Sequence, residues 1–237
     1  MEGLMNLDQL VKKISEIKNK GYIKTRRLHD TGIGKTLEDL LGIKENNLRL
    51  PDIGEIEIKA KRIDSQSMLT IATKAPMPRG VNKVLFENYK YKDKGGSYCL
   101  HSTVYSSRCN PQGFKVSLLG GKLKLKSRKN IEAYWPISIF NDVLKSKSDK
   151  ILLVLAETEG ERLTKEEKFR FVEAHLLSNL NIGKFKEAIK KDKLKIDIRI
   201  GVYRSGPKKG KYHDHGTGFR INKRDFLHLY DNFKQLV

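Results

Sequence analysis

Apolar positions recur along the chain with two different periods, and the switches between them outline its elements. Leu7, Leu10, Val11, Ile14 and Ile17 repeat at helical spacing ahead of Gly21, which predicts an amphipathic helix over 5–20. In KTLEDLLG, residues 35–42, Leu37, Leu40 and Leu41 form one apolar side and Gly42 a stop, so a second, short helix is expected at 36–41. EIEIK and MLTIAT follow as two strand-like runs separated by a polar turn. Residues 80–130, with Gly95-Gly96, Gly120-Gly121 and scattered lysines, suggest hairpins and loops. ILLVLAE, from Ile151, reads as a strand buried on both faces. Thr164 and Glu167 have capping-box spacing ahead of Phe169, Val172, Leu176 and Leu180, which predicts a helix that includes His175. Strict alternation at Leu194, Ile196, Ile198 and Ile200 predicts a half-buried strand. GFRIN is a further short strand, and Asn222 can cap a last helix bearing Phe226, Leu229 and Phe233. Helices and strands mix without a regular βαβ repeat, an internal repeat or a clean linker, so a single α/β domain over 1–237 is expected.

Composition narrows the function. Lys+Arg total 48 against 28 Asp+Glu, a net charge of +20 in 237 residues, and such an excess attracts polyanions, nucleic acid first among them. The longest aliphatic run, ILLVLA at 151–156, is far too short to span a bilayer, and MEGLMNLDQL does not read as an export signal. Cys99 and Cys109 are too few for a disulfide framework or a structural zinc site. A reduced, cytoplasmic protein is expected.

The stretch PDIGEIEIKAKR, residues 51–62, carries the candidate chemistry. Alternation puts Ile56 and Ile58 on one face and Glu55, Glu57 and Lys59 on the other, with Asp52 at the bend before them. Phosphodiester hydrolysis needs charge neutralisation and a water of lowered pKa. Mg²⁺ held by carboxylates supplies both, and a nearby lysine can orient or deprotonate the water. An exposed edge strand with alternating charges would read the same way. Glu38 lies off the Leu37/Leu40/Leu41 stripe and could bring a third acid to the cluster, or be a solvated helix residue. TGIGKT at 31–36 resembles the end of a phosphate loop, but His29 stands where that motif requires glycine.

A basic, glycine-rich segment, GVYRSGPKKGKYHDHGTGFRIN at 201–222, offers Arg204, Lys208, Lys209, Lys211 and Arg220 as donors. Arginine and lysine suit guanine O6/N7, and an aspartate such as Asp214 can accept from cytosine N4. His213 and His215 could donate to bases or phosphates. A metal site at His213, Asp214 and His215 is the weaker reading, and a solvated basic loop is the plain one. Thr70, Lys74 and Arg79, in LTIATKAPMPRG, could contact phosphate or belong to an ordinary surface loop.

The blocks TGIGKTLEDLL, PDIGEIEIK, LTIATKAP with PRG, and KIDIRIGVYRSG through HDHGTGFRIN resemble, in this order, the MvaI/BcnI family of type II restriction endonucleases, relatives of the MutH nicking enzyme. The resemblance implies a PD-(D/E)xK core, with a mixed central sheet flanked by helices, in two lobes clasping duplex DNA. It implies catalytic elements mainly within 5–80 and base reading mainly within 200–222. By the same resemblance Asp52 and Glu57 hold Mg²⁺, Lys59 is the active-site lysine, Glu38 the upstream helix acid, and Arg220 with the His-Asp-His triplet leads base reading. Family members read short CC-x-GG sites; Gly218 and the 90–150 stretch depart from the family pattern. A monomer nicking the two strands in turn is expected, with a cognate DNA methyltransferase in the same restriction-modification system. The rivals are a MutH-like repair nickase and a sequence-reading protein without catalysis. An aromatic content of 8%, without an RNP-like cluster, disfavours an RNA-binding protein.

Overall fold

The computed structural model describes residues 5–43, 51–147 and 149–237, with the backbone alone over 143–147. The first half runs α1 (Leu7–Asn19), β1 (Ile23–Lys24), α2 (Gly32–Leu41), β2 (Glu57–Arg62), β3 (Leu69–Thr73), α3 (Val81–Tyr89), β4 (Tyr91–Lys92), β5 (Tyr98–Val104), β6 (Lys115–Leu119) and β7 (Lys122–Lys126). The second runs β8 (Ala133–Pro136), α4 (Ile137–Lys147), β9 (Lys150–Glu159), β10 (Lys168–Leu180), α5 (Ile182–Lys190), β11 (Leu194–Val202), β12 (Tyr212–Asp214), β13 (Gly218–Ile221), α6 (Lys223–Phe226), a 3-10 turn (Leu227–Leu229) and β14 (Tyr230–Gln235). Two compact units share these elements. The first takes Met1–Ser67, Lys145–Leu180 and Tyr230–Val237; the second takes Met68–Leu144 and Asn181–Leu229. Among the described residues no helix is long and apolar enough to cross a membrane.

The first unit is built on a mixed sheet ordered β1-β10-β9-β2, with β14 also beside β10. Only the β2–β9 pair is parallel; β1, β9 and β14 all run antiparallel to β10. Ile58, Leu152, Val154, Ala156, Phe171 and Ala174 make the face that packs against Leu10, Ile14 and Ile17 of α1 and Ile33, Leu37 and Leu41 of α2. Asn6 and Gln9 close a reciprocal capping box at the start of α1, satisfying two amides the helix leaves open. Helix α2 starts four residues earlier than expected. A Cβ at Gly32 would lie 2.3 Å from the Arg27 carbonyl oxygen, so only glycine lets the helix begin against that backbone. The glycine of TGIGKT thus serves close packing.

The second unit holds an antiparallel sheet ordered β3-β13-β11-β5-β4, with β12 also on β11, and a separate hairpin sheet ordered β6-β7-β8. Ile196, Ile198, Ile200, Phe219 and Ile221 give one fully apolar sheet face, and Phe219 meets Trp135 and Phe140 edge-on. Asn181 caps α5 by accepting from the Gly183 and Lys184 amides.

Two expected helices are strands. Over 168–180 the chain forms β10, and the reason lies in where Glu167 bonds. Its carboxylate is 1% exposed and takes a bidentate pair from Arg62, at 2.7 and 2.8 Å, together with the Leu163 amide. Thr164 closes a local turn with Glu161 and Glu166 instead of capping a helix. A bulge between Phe171 and Glu173 then shifts the strand's phase, which makes its apolar spacing imitate a helix. His175 therefore stands on a strand. The last helix shrinks to the four residues of α6, because Tyr230–Gln235 pair with β10. Phe233 is half exposed and stacks on His175 at 5.1 Å. Within 80–130 the hairpins are present, joined by α3, which lacks a side-chain cap.

The Arg62 bonds hold Glu167 below the usual carboxylate range although burial alone would raise it. A depressed carboxylate stabilises the fold above its ordinary value and loses that contribution as pH falls through the native one. Replacing Arg62 by Met strands a buried charge, and urea unfolding at neutral pH should show a loss of about 3–5 kcal/mol. Part of that difference should vanish in strong acid.

Candidate functional site

PDIGEIEIK folds as a miniature hairpin entering β2. Ile53 and Ile56 exchange backbone hydrogen bonds around Gly54, whose φ of 55° suits the tight turn. The turn carries Asp52 back alongside β2, where its Oδ2 accepts from the Ile58 amide at 2.8 Å. Strand β2 ends the sheet among the described residues, and the carboxylate occupies a donor of that end strand. Glu57 and Lys59 share the face opposite Ile58, with Lys59 Nζ 3.3 Å from Glu57 Oε1 and both side chains less than one-fifth exposed. Glu55, by contrast, is exposed and pairs with Lys150. The solvated-edge reading fails here because Glu57 and Lys59 are largely covered.

The sheet register widens this view. Glu57 lies in one row with Ile151, Leu177 and Phe233, and Lys59 with Leu153, His175 and Gln235. Residues in one row point the same way, so Glu57, Lys59, His175 and Gln235 share a face with Ile151, Leu153, Leu177 and Phe233. Tyr230 is buried nearby. Desolvation first, then the charges of Asp149 and Glu57, raise its hydroxyl pKa, so it stays a neutral phenol beside Glu57. Glu38, on α2, is half-buried, and among the described residues no three His, Cys, Asp or Glu side chains gather to hold a metal ion. Asp52 and Glu57 form an all-oxygen, two-carboxylate set. That fits Mg²⁺, which commonly takes one or two carboxylates and completes its shell with water and substrate phosphate.

A second cluster stands on the polar face of the second unit's main sheet. Register aligns Asp197 with Thr103 and Gly218, Arg199 with His101, Arg220 with Thr70 and Lys195, and Gly201 with His213. Arg220 Nη1 donates to Asp197 Oδ2 at 2.8 Å, and Thr103 Oγ1 to Asp197 Oδ1 at 2.7 Å. Arg220 Nε is buried without a hydrogen-bond partner among the described residues. An open pocket of about 480 Å³ is lined by His101, Asp197, Arg199, His215 and Arg220, among others. Gly218 makes room for one of these: a Cβ there would sit 3.2 Å from Arg199 Cζ.

The His-Asp-His triplet splits across β12. His213 stacks on Tyr203 at 4.2 Å and lies 4.1 Å from the His215 ring. Asp214 accepts from Asn82 of α3 at 2.8 Å and from the Gly216 amide at 2.7 Å. Its neighbour Tyr212 is pushed up to about 12 by burial and by the Asp214 carboxylate. Alternation along β12 thus keeps the three from converging, and the metal reading of this triplet falls. Thr70 is half-buried on β3; Lys74 gives its backbone to Thr217 and Trp135; Arg79 is exposed ahead of α3. Arg204 donates to Asp93 at 2.6 Å, Lys208 lies over the Tyr203 ring, and Lys209 and Lys211 are exposed in the turn between β11 and β12.

Asp197, Arg199, His101 and Thr103 did not stand out in the sequence. Asp197 and Arg199 occupy the polar phase of LKIDIRIGV and were legible there. His101 and Thr103 lie in a stretch with no such signal, and only the register brings them in.

A mixed sheet with helices packed on one face, ending in β2 with Asp52 bonded alongside it, has the architecture of a restriction-endonuclease core. Family comparison agrees: residues 11–230 match the MvaI/BcnI restriction endonuclease family, and the chain belongs to it. It is accordingly a type II site-specific endonuclease. Among solved structures it is similar to restriction endonuclease MvaI in complex with its cognate DNA substrate, with 36% identity, 98% of each chain covered and a TM-score of 0.84. It is also similar to MvaI in the absence of DNA, with 34% identity, full coverage of both chains and a TM-score of 0.57. No curated protein matches the chain.

His215 is held below the usual histidine value of 6.5, first by partial burial, then by the positive charges of His213, Arg199 and His101. The native chain therefore binds fewer protons than the unfolded one in this window, and stability falls as pH drops below 6.5. His215 is exposed, so screening keeps the effect small. Thermal melts between pH 7 and pH 5.5 should show a smaller decline for His215→Asn than for wild type.

Proposed function

We propose that the protein cleaves duplex DNA at a short CC-x-GG-like site in a Mg²⁺-dependent hydrolysis, acting as a monomer that nicks the strands in turn. The observation carrying this reading is the placement of Asp52, Glu57 and Lys59: Glu57 and Lys59 on β2 and Asp52 tied by hydrogen bond to the Ile58 amide of the same strand. Asp52 and Glu57 would hold Mg²⁺, which when bound neutralises charge at the scissile phosphate and lowers the pKa of a coordinated water. Lys59, tied to Glu57, orients the attacking water and stabilises the charge developing on phosphate. The Ile58 amide fixes the Asp52 carboxylate so that it need not reorganise during the reaction. Glu38, on α2, is the auxiliary acid of this reading. The products are a 5′-phosphate and a 3′-hydroxyl.

Base reading falls to the polar face around Arg220, His213 and His215, with Arg204, Lys208 and Lys209 in the turn and Thr70, Lys74 and Arg79 as phosphate contacts. Asp214 holds β12 to α3 with one hydrogen bond at each oxygen and keeps lone pairs that can accept from cytosine N4. Asp197 is the positioning residue for Arg220. The enzyme would work in the cytoplasm beside a cognate DNA methyltransferase, which is not a bound partner.

Supercoiled plasmid incubated with the protein and Mg²⁺ should pass through open circles to discrete linear fragments, whose sequenced ends give the site and stagger. Persistent open circles would instead indicate a nickase. Asp52→Ala should abolish cutting while retaining sequence-specific binding; retained cutting would remove the catalytic assignment. Asp197→Asn should cost about 1–3 kcal/mol of discrimination between the site and a single-pair mismatch. Competition binding checks this, with the salt dependence expected to stay unchanged.

A further inference from the structure

The β6-β7-β8 sheet is not used by either cluster, yet its two faces differ sharply. One carries Val116, Leu123, Leu125, Ala133 and Trp135, all buried. The other carries Lys122, Lys124 and Lys126 along β7, with Lys115 directly opposite Lys126, Ser117 opposite Lys124, and Tyr134 opposite Lys124 on the other side. The Gly120-Gly121 turn, both residues at positive φ, fixes this register, so the lysines cannot slip to the covered face.

Three features set this face apart from an ordinary solvated strand. Strand β7 is the middle strand, so its lysines do not guard an open edge against pairing. Lys115 and Lys126 are a like-charge cross-strand pair, an arrangement that destabilises a sheet. Finally, among the described residues none of the four lysines has a carboxylate partner. Lys115 Nζ donates to the Ser107 carbonyl and Lys122 Nζ lies over the Tyr134 ring, while Lys124 and Lys126 point into solvent. The acid closest in sequence, Glu132, precedes β8, is exposed and makes no ion pair among the described residues.

We propose that this face is a sequence-independent contact surface for the phosphate backbone of duplex DNA flanking the recognition site. It rests on the endonuclease reading above and adds a role for a sheet that neither the Asp52 cluster nor the Arg220 cluster uses. Alternate residues on an antiparallel strand recur about every 6.8 Å. Lys122 to Lys126 thus span about 14 Å, over which one DNA strand presents about four phosphates. The Ser117 and Tyr134 hydroxyls add neutral donors between the ammonium groups. Such a surface carries no sequence information; it raises affinity for long DNA and so helps the enzyme search along it.

The test uses the full chain without divalent metal, so that binding is read without cutting. Duplexes long enough to extend past the recognition site are compared with duplexes trimmed to it. The triple variant K122Q/K124Q/K126Q should reduce the steepness of log affinity against log salt on the long duplex by about 2–3, at about 0.9 per lost contact. On the trimmed duplex it should behave as wild type. The single variant K124Q should lose about 0.9 of slope, and a triple Lys→Arg variant should keep the wild-type slope. An unchanged slope for the triple Gln variant on long duplex overturns the proposal. So does lysine-dependent binding to anionic lipid vesicles with DNA binding unaffected. Failure of wild type to cut in Mg²⁺ would sink the endonuclease reading separately, because the slope comparison needs no catalysis.

Discussion

Strand side chains alternate between faces, and both clusters exist because each sheet has spent one face on a hydrophobic core. In the first unit, Ile58 and Ala60 turn towards α1 and α2, which forces Glu57 and Lys59 to the other side. In the second, Ile196, Ile198 and Ile200 are buried on one face, leaving Asp197 and Arg199 on the opposite, polar face. A register slip of one residue would bury these charges and expose the core, so core packing and functional geometry enforce one another. The bulge between Phe171 and Glu173 shows the same constraint locally: the strand changes phase where Glu167 has just been anchored by Arg62.

How much of this was readable from the chain depended on whether the signal was local. PDIGEIEIK announced itself because turn chemistry, alternation and the acids fall within nine residues, and LKIDIRIGV did so by period alone. Helix and strand were confused at 168–180 because a bulged strand and a helix can share apolar spacing, and because Thr164 and Glu167 have the spacing of a cap. What decided the matter was Arg62, 105 positions away from Glu167, and no local reading could weigh it. The same holds for Tyr230–Gln235, whose strand character comes from an open place beside β10 and not from its own polar sequence. His101 and Thr103 joined the polar face through pairing with β11 in the same non-local way.

Polar satisfaction sorts the expected site residues into groups. Asp214 accepts one hydrogen bond at each oxygen from within the fold, which fixes its carboxylate, while His213 and His215 keep their rings together. Arg220 is held by Asp197 with one nitrogen still buried and without a partner among the described residues, an arrangement that favours an incoming acceptor in a defined direction. Asp52 is similarly committed to a backbone amide, which trades freedom for aim.

The path of the chain has an evolutionary corollary. It passes from one unit to the other after Ser67, Leu144, Leu180 and Leu229, so neither unit is a continuous stretch of gene. A lineage cannot exchange the second unit by a single recombination event; two separated segments, 68–144 and 181–229, would have to be replaced in concert. Hybrid chains made with one crossover should mostly fail to fold.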